Sequence, residues 1–126
     1  MKPPPRLSPR ALIARRVVDT TLRALPAEIR EAAKPCSVEL CDMAACAGEE
    51  GLDEDILGLF EGLSRIDGEP HSPQDLPRIR LFLDSLWDFA EGDPQAFREE
   101  VRTTLLHELG HYLGLDEDQV EAMGLA

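Results

Sequence analysis

The chain has 126 residues, of which 43% are hydrophobic and 30% are charged, and its formal net charge is −12. This length supports one domain whose core can form without disulfides. The acidic balance repels phosphate and argues against nucleic acid as a partner. No stretch is long and apolar enough to suggest a membrane span, so we expect no membrane partner.

The chain begins with a basic, proline-rich segment. Residues 1–9 are predicted to be a disordered leader, and residues 10–126 are predicted to form the folded domain. The leader has no unbroken apolar run of the kind that a secretory signal requires, so cytoplasmic residence is the expectation.

A helix is predicted over residues 10–25, where apolar residues recur at helical spacing. The residues expected on its apolar face are Leu12, Ile13, Val17, Leu22 and Leu25. Pro26 breaks this helix, and Ala27 to Ala33 is predicted to add one or two helical turns.

Three segments in the middle of the chain are candidate strands. Residues 36–41 alternate as a short strand does, and residues 57–62 form an apolar patch between glycines that suggests a turn or an irregular strand. The clearest strand is residues 78–84, after a proline-rich loop over 64–77. Helices around a small sheet predict an α+β domain.

The last long helix has clear signals at both ends. Asp93 is a good N-cap before Pro94, and Gly114 follows the last periodic residue, Leu113. The residues expected on its buried side are Phe97, Val101, Leu105, Leu109 and Tyr112. Short helices are also predicted over 85–91 and 117–123.

Residues 107–111 of this helix read His-Glu-Leu-Gly-His, an H-E-x-x-H motif. Histidines four residues apart lie on one helix face, so both imidazoles can reach a single zinc ion. Glu108 is placed to take a proton from a zinc-bound water and to pass it to the leaving amine. The motif predicts a zinc-dependent peptidase with His107 and His111 as ligands and Glu108 as general base and acid.

A third ligand is expected just after the helix. Gly114 can adopt a left-handed conformation and turn the chain back toward the metal. Asp116, Glu117 and Asp118 then compete for the ion, and only one of three consecutive residues is expected to coordinate it. Asp116 has an alternative use as the N-cap of the following helix.

Residues 107–118 resemble the H-E-x-x-H-x-x-G-x-x-(H/D) signature of metzincins and related zincins. More closely, the chain resembles the minimal zincin-like metallopeptidases, a family of small bacterial proteins, through residues 57–62, 76–82 and 99–106 as well. The resemblance implies a zincin-like fold without the lower subdomain of larger zincins. It also implies Zn²⁺ as cofactor and a third ligand ten residues after His107. That residue is Glu117, where the family pattern more often has aspartate or histidine.

Several features of the substrate cleft follow as expectations. Residues 78–84 are the candidate edge strand for holding an extended peptide, with a central strand as the alternative. Tyr112 and His71 are candidate donors to an oxyanion, although packing is the better explanation of Tyr112 and solvent exposure is the better explanation of His71. Met123 is expected to be a core residue rather than part of a methionine turn. Without a lower subdomain the cleft has one wall, and a homodimer or a partner chain would supply the other.

Two classes of function remain open from the sequence. The first is a peptidase that acts on an exposed peptide or protein substrate, which the intact Glu108 favours. The second is a zinc- or peptide-binding module with weak or no turnover, which the single wall and the acidic surface favour. Cys36, Cys41 and Cys46 have neither a disulfide pattern nor zinc-knuckle spacing, so they are expected to be reduced packing residues.

Overall fold

A three-stranded sheet and five α-helices make up the computed structural model, which describes residues 8–46, 48–49, 52–53 and 55–122. The helices are α1 (Pro9–Arg23), α2 (Ala27–Ala33), α3 (Leu83–Phe89), α4 (Pro94–Leu113) and α5 (Glu117–Ala122). The strands are β1 (Ser37–Cys41), β2 (Gly58–Glu61) and β3 (Arg78–Phe82). Short 3-10 turns lie at Met43–Cys46, Arg65–Asp67 and Pro73–Asp75. The α+β prediction is confirmed.

β3 is the central strand of the sheet. β1 pairs with it in parallel and β2 pairs with it antiparallel, giving the order β1-β3-β2. The prediction that residues 78–84 form an edge strand is therefore wrong, and the central alternative holds. Ile79, Arg80, Leu81 and Phe82 are all less than 8% exposed, so this strand is buried on both faces as a central strand is.

The first helix begins at Pro9 and is capped by Ser8, whose hydroxyl accepts a hydrogen bond from the Ala11 amide at 3.1 Å. The domain thus starts before residue 10, and residues 1–7 of the predicted leader lie outside the described part of the chain. The predicted apolar face was partly wrong, since Leu12 is 47% exposed. The buried residues of α1 are Ala11, Ala14, Val18 and Thr21, mostly small side chains that let α1 approach α4 closely.

α4 is the central helix of the core. The Asp93 carboxylate accepts a hydrogen bond from the Ala96 amide at 2.8 Å and caps it, as predicted. Every residue predicted on its buried side is indeed buried: Phe97, Val101, Leu105, Leu109 and Tyr112. No helix in the described ranges is both long and apolar enough to cross a membrane.

One face of the sheet packs directly on α4. A Cβ atom on Gly58 would lie 2.6 Å from the Thr104 side chain, so β2 approaches the helix as closely as only glycine allows. The Phe60 ring lies 5.9 Å from the Tyr112 ring, centroid to centroid. β2 therefore runs alongside α4 from Thr104 to Tyr112, the interval that contains the H-E-x-x-H motif.

The opposite face of the sheet carries a buried arginine. The Arg80 guanidinium donates to Glu49 Oε1 at 2.8 Å, to Glu61 Oε1 at 3.1 Å and to Cys46 Sγ at 3.0 Å. The hydrogen bonds to Cys46 and Glu49 hold the segment that follows β1 against this face of the sheet.

All three cysteines are free, as expected. Burial raises the pKa of the Cys36 thiol to about 12, which suits an unreactive packing residue.

Candidate metal centre

His107 and His111 lie one helical turn apart on α4, and their rings are 4.7 Å apart, centroid to centroid. With Thr103 they form an exposed stripe of the helix at i, i+4 spacing. Their side chains are 45% and 51% exposed, so both imidazoles are within reach of solvent while their backbone is held in the core helix. The motif helix places both predicted ligands on one accessible face.

Glu108 belongs to the neighbouring, buried stripe of α4, between Thr104 and Tyr112 and facing β2. Its side chain is only 11% exposed, and its Oε2 atom lies 3.3 Å from His111 Nδ1. Ligand atoms of His107, Glu108 and His111 all lie within 4.8 Å of one another. Two imidazoles that can reach one ion, with a carboxylate beside them to handle a proton, are an arrangement that suits a zinc site.

A tight turn after α4 brings the acidic segment back toward the histidines. Gly114 has φ 74°, the left-handed conformation predicted for it. The Leu115 amide donates to the Gly110 carbonyl at 2.8 Å and the Gly114 amide donates to the His111 carbonyl at 3.2 Å. These two bonds form a Schellman motif, which ends α4 and starts the return.

The acidic trio has divided roles in the structure. Asp116 Oδ1 accepts from the Gln119 amide at 2.8 Å, and Gln119 Oε1 accepts from the Asp116 amide at 2.9 Å. This reciprocal capping box fixes Asp116 as the N-cap of α5. Asp118 is exposed and does not line the cleft beside the histidines.

Glu117 is the member of the trio that approaches the histidines. Its Oε1 atom lies 3.7 Å from His107 Nδ1, and its side chain is 84% exposed. A carboxylate thus stands on each side of the histidine pair, Glu108 next to His111 and Glu117 next to His107. Glu117 remains our prediction for the third ligand, because an exposed side chain this close can rotate onto a bound ion.

A cleft of about 590 Å³ opens between α4 and α5, beside the histidines. The residues that line it are Thr103, Leu106, His107, His111, Leu115, Asp116, Glu117, Val120 and Glu121. This volume is within the range of ordinary small-ligand sites. The histidine stripe therefore has this cleft on one side and the β2 strand on the other.

The outer edge of β2 offers backbone groups next to the metal centre. The Phe82 amide donates to the Leu57 carbonyl at 2.9 Å, which makes this a hydrogen-bonded pair. In an antiparallel ladder such pairs alternate, so Leu59 and Glu61 also face β3. The amides and carbonyls of Gly58 and Phe60 then point outward, along the free edge.

Neither predicted oxyanion donor lines the cleft. Tyr112 is 5% exposed and packs against Phe60, and burial raises the pKa of its hydroxyl. His71 is exposed in the loop before β3, where its amide donates to Asp75. The position of Tyr112 supports a packing role, and the position of His71 supports solvent exposure. Met123 lies outside the described residues.

Sequence reasoning missed the far wall of the cleft, which Val120 and Glu121 of α5 provide. One signal was available, because a glycine inside a strongly helical pattern often marks a close approach. A Cβ atom on Gly110 would lie 2.7 Å from Val120 Cγ2, so Gly110 is what lets α5 pack against the histidine face.

Comparison with known proteins adds a family to this geometry. No curated protein shows significant similarity to the chain. The family model described as zincin-like metallopeptidase matches residues 35–125, which is more than half of the chain and includes the sheet, the histidine helix and the acidic turn. With that match, the protein belongs to the zincin-like metallopeptidase family.

Proposed function

We propose that the protein is a zinc-dependent peptidase that hydrolyses peptide bonds, with Glu108 as general base and acid. The observation that carries the proposal is the arrangement of Glu108 beside the histidine pair. A carboxylate that is 11% exposed lies 3.3 Å from one of two half-exposed imidazoles on the same helix. Its position on the buried stripe of α4 holds it between the protein interior and the histidine pair.

Each residue of the site has a distinct task in this proposal. His107 and His111 would hold the ion, and Glu117 would complete the set. Bound zinc supplies a Lewis acid that lowers the pKa of a coordinated water to about 7 and polarises a carbonyl. Glu108 takes a proton from the attacking water and returns it to the leaving amine. Because its side chain is buried, its carboxylate has few orientations available.

β2 is the element that would hold the substrate. Gly58 and Phe60 present outward amides and carbonyls, and neither residue has another backbone partner among the described residues. An extended peptide can add to this edge as a further strand. Because β2 runs from Thr104 to Tyr112 of α4, a peptide bound there would cross in front of His107 and His111.

A catalytically weak zinc- or peptide-binding module is the second candidate, and the openness of the histidine face favours it. Both imidazoles are about half exposed to solvent. Efficient hydrolysis benefits from a site that excludes water. Under the peptidase proposal a second copy of the chain, or a partner chain, would cover the exposed side of the two imidazoles.

Cytoplasmic residence is part of the proposal. Three free thiols support it, because cysteines persist in reduced form in reducing compartments.

Zinc content and peptide cleavage test the function together. The protein should bind about one zinc per chain, since the motif forms one mononuclear site. His107→Ala and His111→Ala should abolish binding, whereas Glu108→Gln should keep the metal. A broad peptide-library digest should then show cleavage that stops with a chelator and in Glu108→Gln. Unchanged zinc content in His107→Ala would refute the site, and peptide binding without cleavage would favour the module.

A further inference from the structure

We propose that the cleft between α4 and α5 selects substrates in which an apolar residue is followed by a lysine or arginine. The proposal rests on the proposed function, because it assigns the cleft to peptide recognition beside the metal centre. It adds a substrate class and names Val120 and Glu121 of α5 as specificity residues.

The floor of the cleft is apolar. Leu106 and Val120 are 2% and 7% exposed, and Leu115 is half-buried between them at the turn. Gly110 lies beneath, with room for no side chain of its own. An apolar substrate side chain placed here would lose its contact with water, whereas a charged one would meet no partner on the floor.

The rim of the same cleft is acidic. Asp116, Glu117 and Glu121 line it, and neither lysine nor arginine is among the residues found there in the described chain. Asp116 is already used as a helix cap, and Glu117 stands 3.7 Å from His107. Glu121 has no such duty within the site. It is therefore the carboxylate best placed to meet a basic residue of the substrate.

The apolar floor and the acidic rim together favour a pair of substrate residues, one apolar and one basic. A cleft of about 590 Å³ has room for more than one side chain. The apolar part lies between the helices, and the carboxylates surround it at the surface. A peptide whose apolar side chain fills the floor keeps the adjacent residue at the mouth of the cleft, where the long side chain of a lysine or arginine can reach the rim carboxylates and a like charge is repelled.

Peptide binding to the zinc-loaded Glu108→Gln protein tests the proposal without requiring turnover. The probes are fluorescein-labelled peptides of sequence Gly-Gly-Leu-Lys-Gly-Gly, the same peptide with Glu in place of Lys, and the same peptide with Gly in place of Leu. Fluorescence anisotropy gives each Kd at low salt. The measurements are then repeated with Glu121→Gln introduced into the Glu108→Gln protein. Glu39→Gln, introduced in the same way, is the matched control. Glu39 is an exposed glutamate on β1, the strand at the far side of the sheet from β2 and α4.

We expect the Leu-Lys peptide to bind about fivefold more tightly than the Leu-Glu peptide, as a surface charge pair allows. It should bind about tenfold more tightly than the Gly-Lys peptide, because the floor buries the leucine side chain. Glu121→Gln should reduce the Lys-over-Glu ratio by at least half, and Glu39→Gln should leave it unchanged.

Equal binding of all three peptides, or no binding of any, would overturn the proposal. A ratio that Glu121→Gln does not change would overturn the role of Glu121. These outcomes are distinct from failure of the proposed function, which would appear as missing zinc or as absent cleavage by the unsubstituted protein. Selective binding without cleavage would support the cleft assignment while refuting the peptidase.

Discussion

Gly110 of α4 and Val120 of α5 are in close contact: a Cβ atom on residue 110 would lie 2.7 Å from Val120 Cγ2. This contact sets the position of α5 relative to the histidine face. It thereby keeps Glu117, at the start of α5, 3.7 Å from His107. The absence of a side chain at Gly110 of α4 thus determines the position of the Glu117 carboxylate of α5.

Gly110→Ala should displace α5. The added methyl group cannot fit at 2.7 Å from Val120, and Val is too short and stiff to swing aside. Alanine also gains about 1 kcal/mol of helix propensity in α4, so the melting temperature should change little. Hydrogen exchange is the measurement, and amides of α5 should lose protection while those of α4 keep it. Unchanged α5 protection would show that the contact does not position the helix.

Glu117→Ala should weaken zinc binding and leave the fold intact, because Glu117 is exposed and outside the core. Removal of a direct zinc ligand should reduce zinc affinity at least as much as removal of a residue that only hydrogen-bonds to a ligand, which is about 10- to 100-fold. Asp116→Ala is the comparison, since it should remove the α5 cap at a cost of about 1 kcal/mol with little loss of metal. Competition with a chromogenic chelator measures both. A loss of affinity in Asp116→Ala or Asp118→Ala, with none in Glu117→Ala, would assign the ligand elsewhere.

Local signals predicted the helix that carries the histidine pair, and the turn after it, well. The Asp93 cap, the buried residues of α4 and the left-handed Gly114 all depend on neighbours within a few positions of the chain. The capping role of Asp116 follows from the same short-range chemistry. The approach of the two histidines is likewise set by helix geometry alone, so sequence was sufficient there.

Strand order and helix packing depend on contacts that local patterns do not contain. The edge position expected for residues 78–84 was wrong because β1 and β2 both pair with this strand, and Arg80 is 7% exposed because Glu49 and Glu61 neutralise it beneath the segment after β1. In α1 the large residue Leu12 looked like a core residue, whereas close packing on α4 selected Ala11 and Ala14. The far wall of the cleft depends on the same kind of long-range contact.

Arg80→Leu should destabilise the fold by about 3 kcal/mol, because it breaks a buried ion-pair cluster and leaves Glu61 without its closest cation. Arg78→Leu on the same strand is the matched control. Arg78 pairs with Glu61 at 3.3 Å, but its side chain is 45% exposed, so its loss should cost less than about 1 kcal/mol. Urea unfolding gives both free energies. Equal costs for the two variants would show that burial of the Arg80 cluster adds nothing.

Asp84 should make the fold sensitive to acid. Its carboxylate accepts hydrogen bonds from the Met43 amide at 2.7 Å, the Ala44 amide at 3.0 Å and the Ser85 amide at 3.0 Å. Burial by itself would raise the pKa of Asp84, but these backbone hydrogen bonds outweigh it and lower the pKa below its usual 3.8. The carboxylate therefore joins the turn after β1 to the start of α3 most strongly while it is ionised.

The sign of the pH effect follows from the direction of that shift. Because the folded-state pKa of Asp84 is below the unfolded value of 3.8, its contribution to stability is full above 3.8. The contribution is lost as the pH falls through the folded-state pKa. Asp84→Asn should cost about 1 kcal/mol at pH 7, since the amide keeps one acceptor but no charge. The difference in the free energy of unfolding between the unsubstituted protein and Asp84→Asn should narrow below pH 3.8. Urea titrations run from pH 7 to pH 3 measure it. Asp88→Asn, an exposed aspartate of the same helix, should show no gap at either pH, and a constant Asp84→Asn gap over the whole range would contradict the prediction.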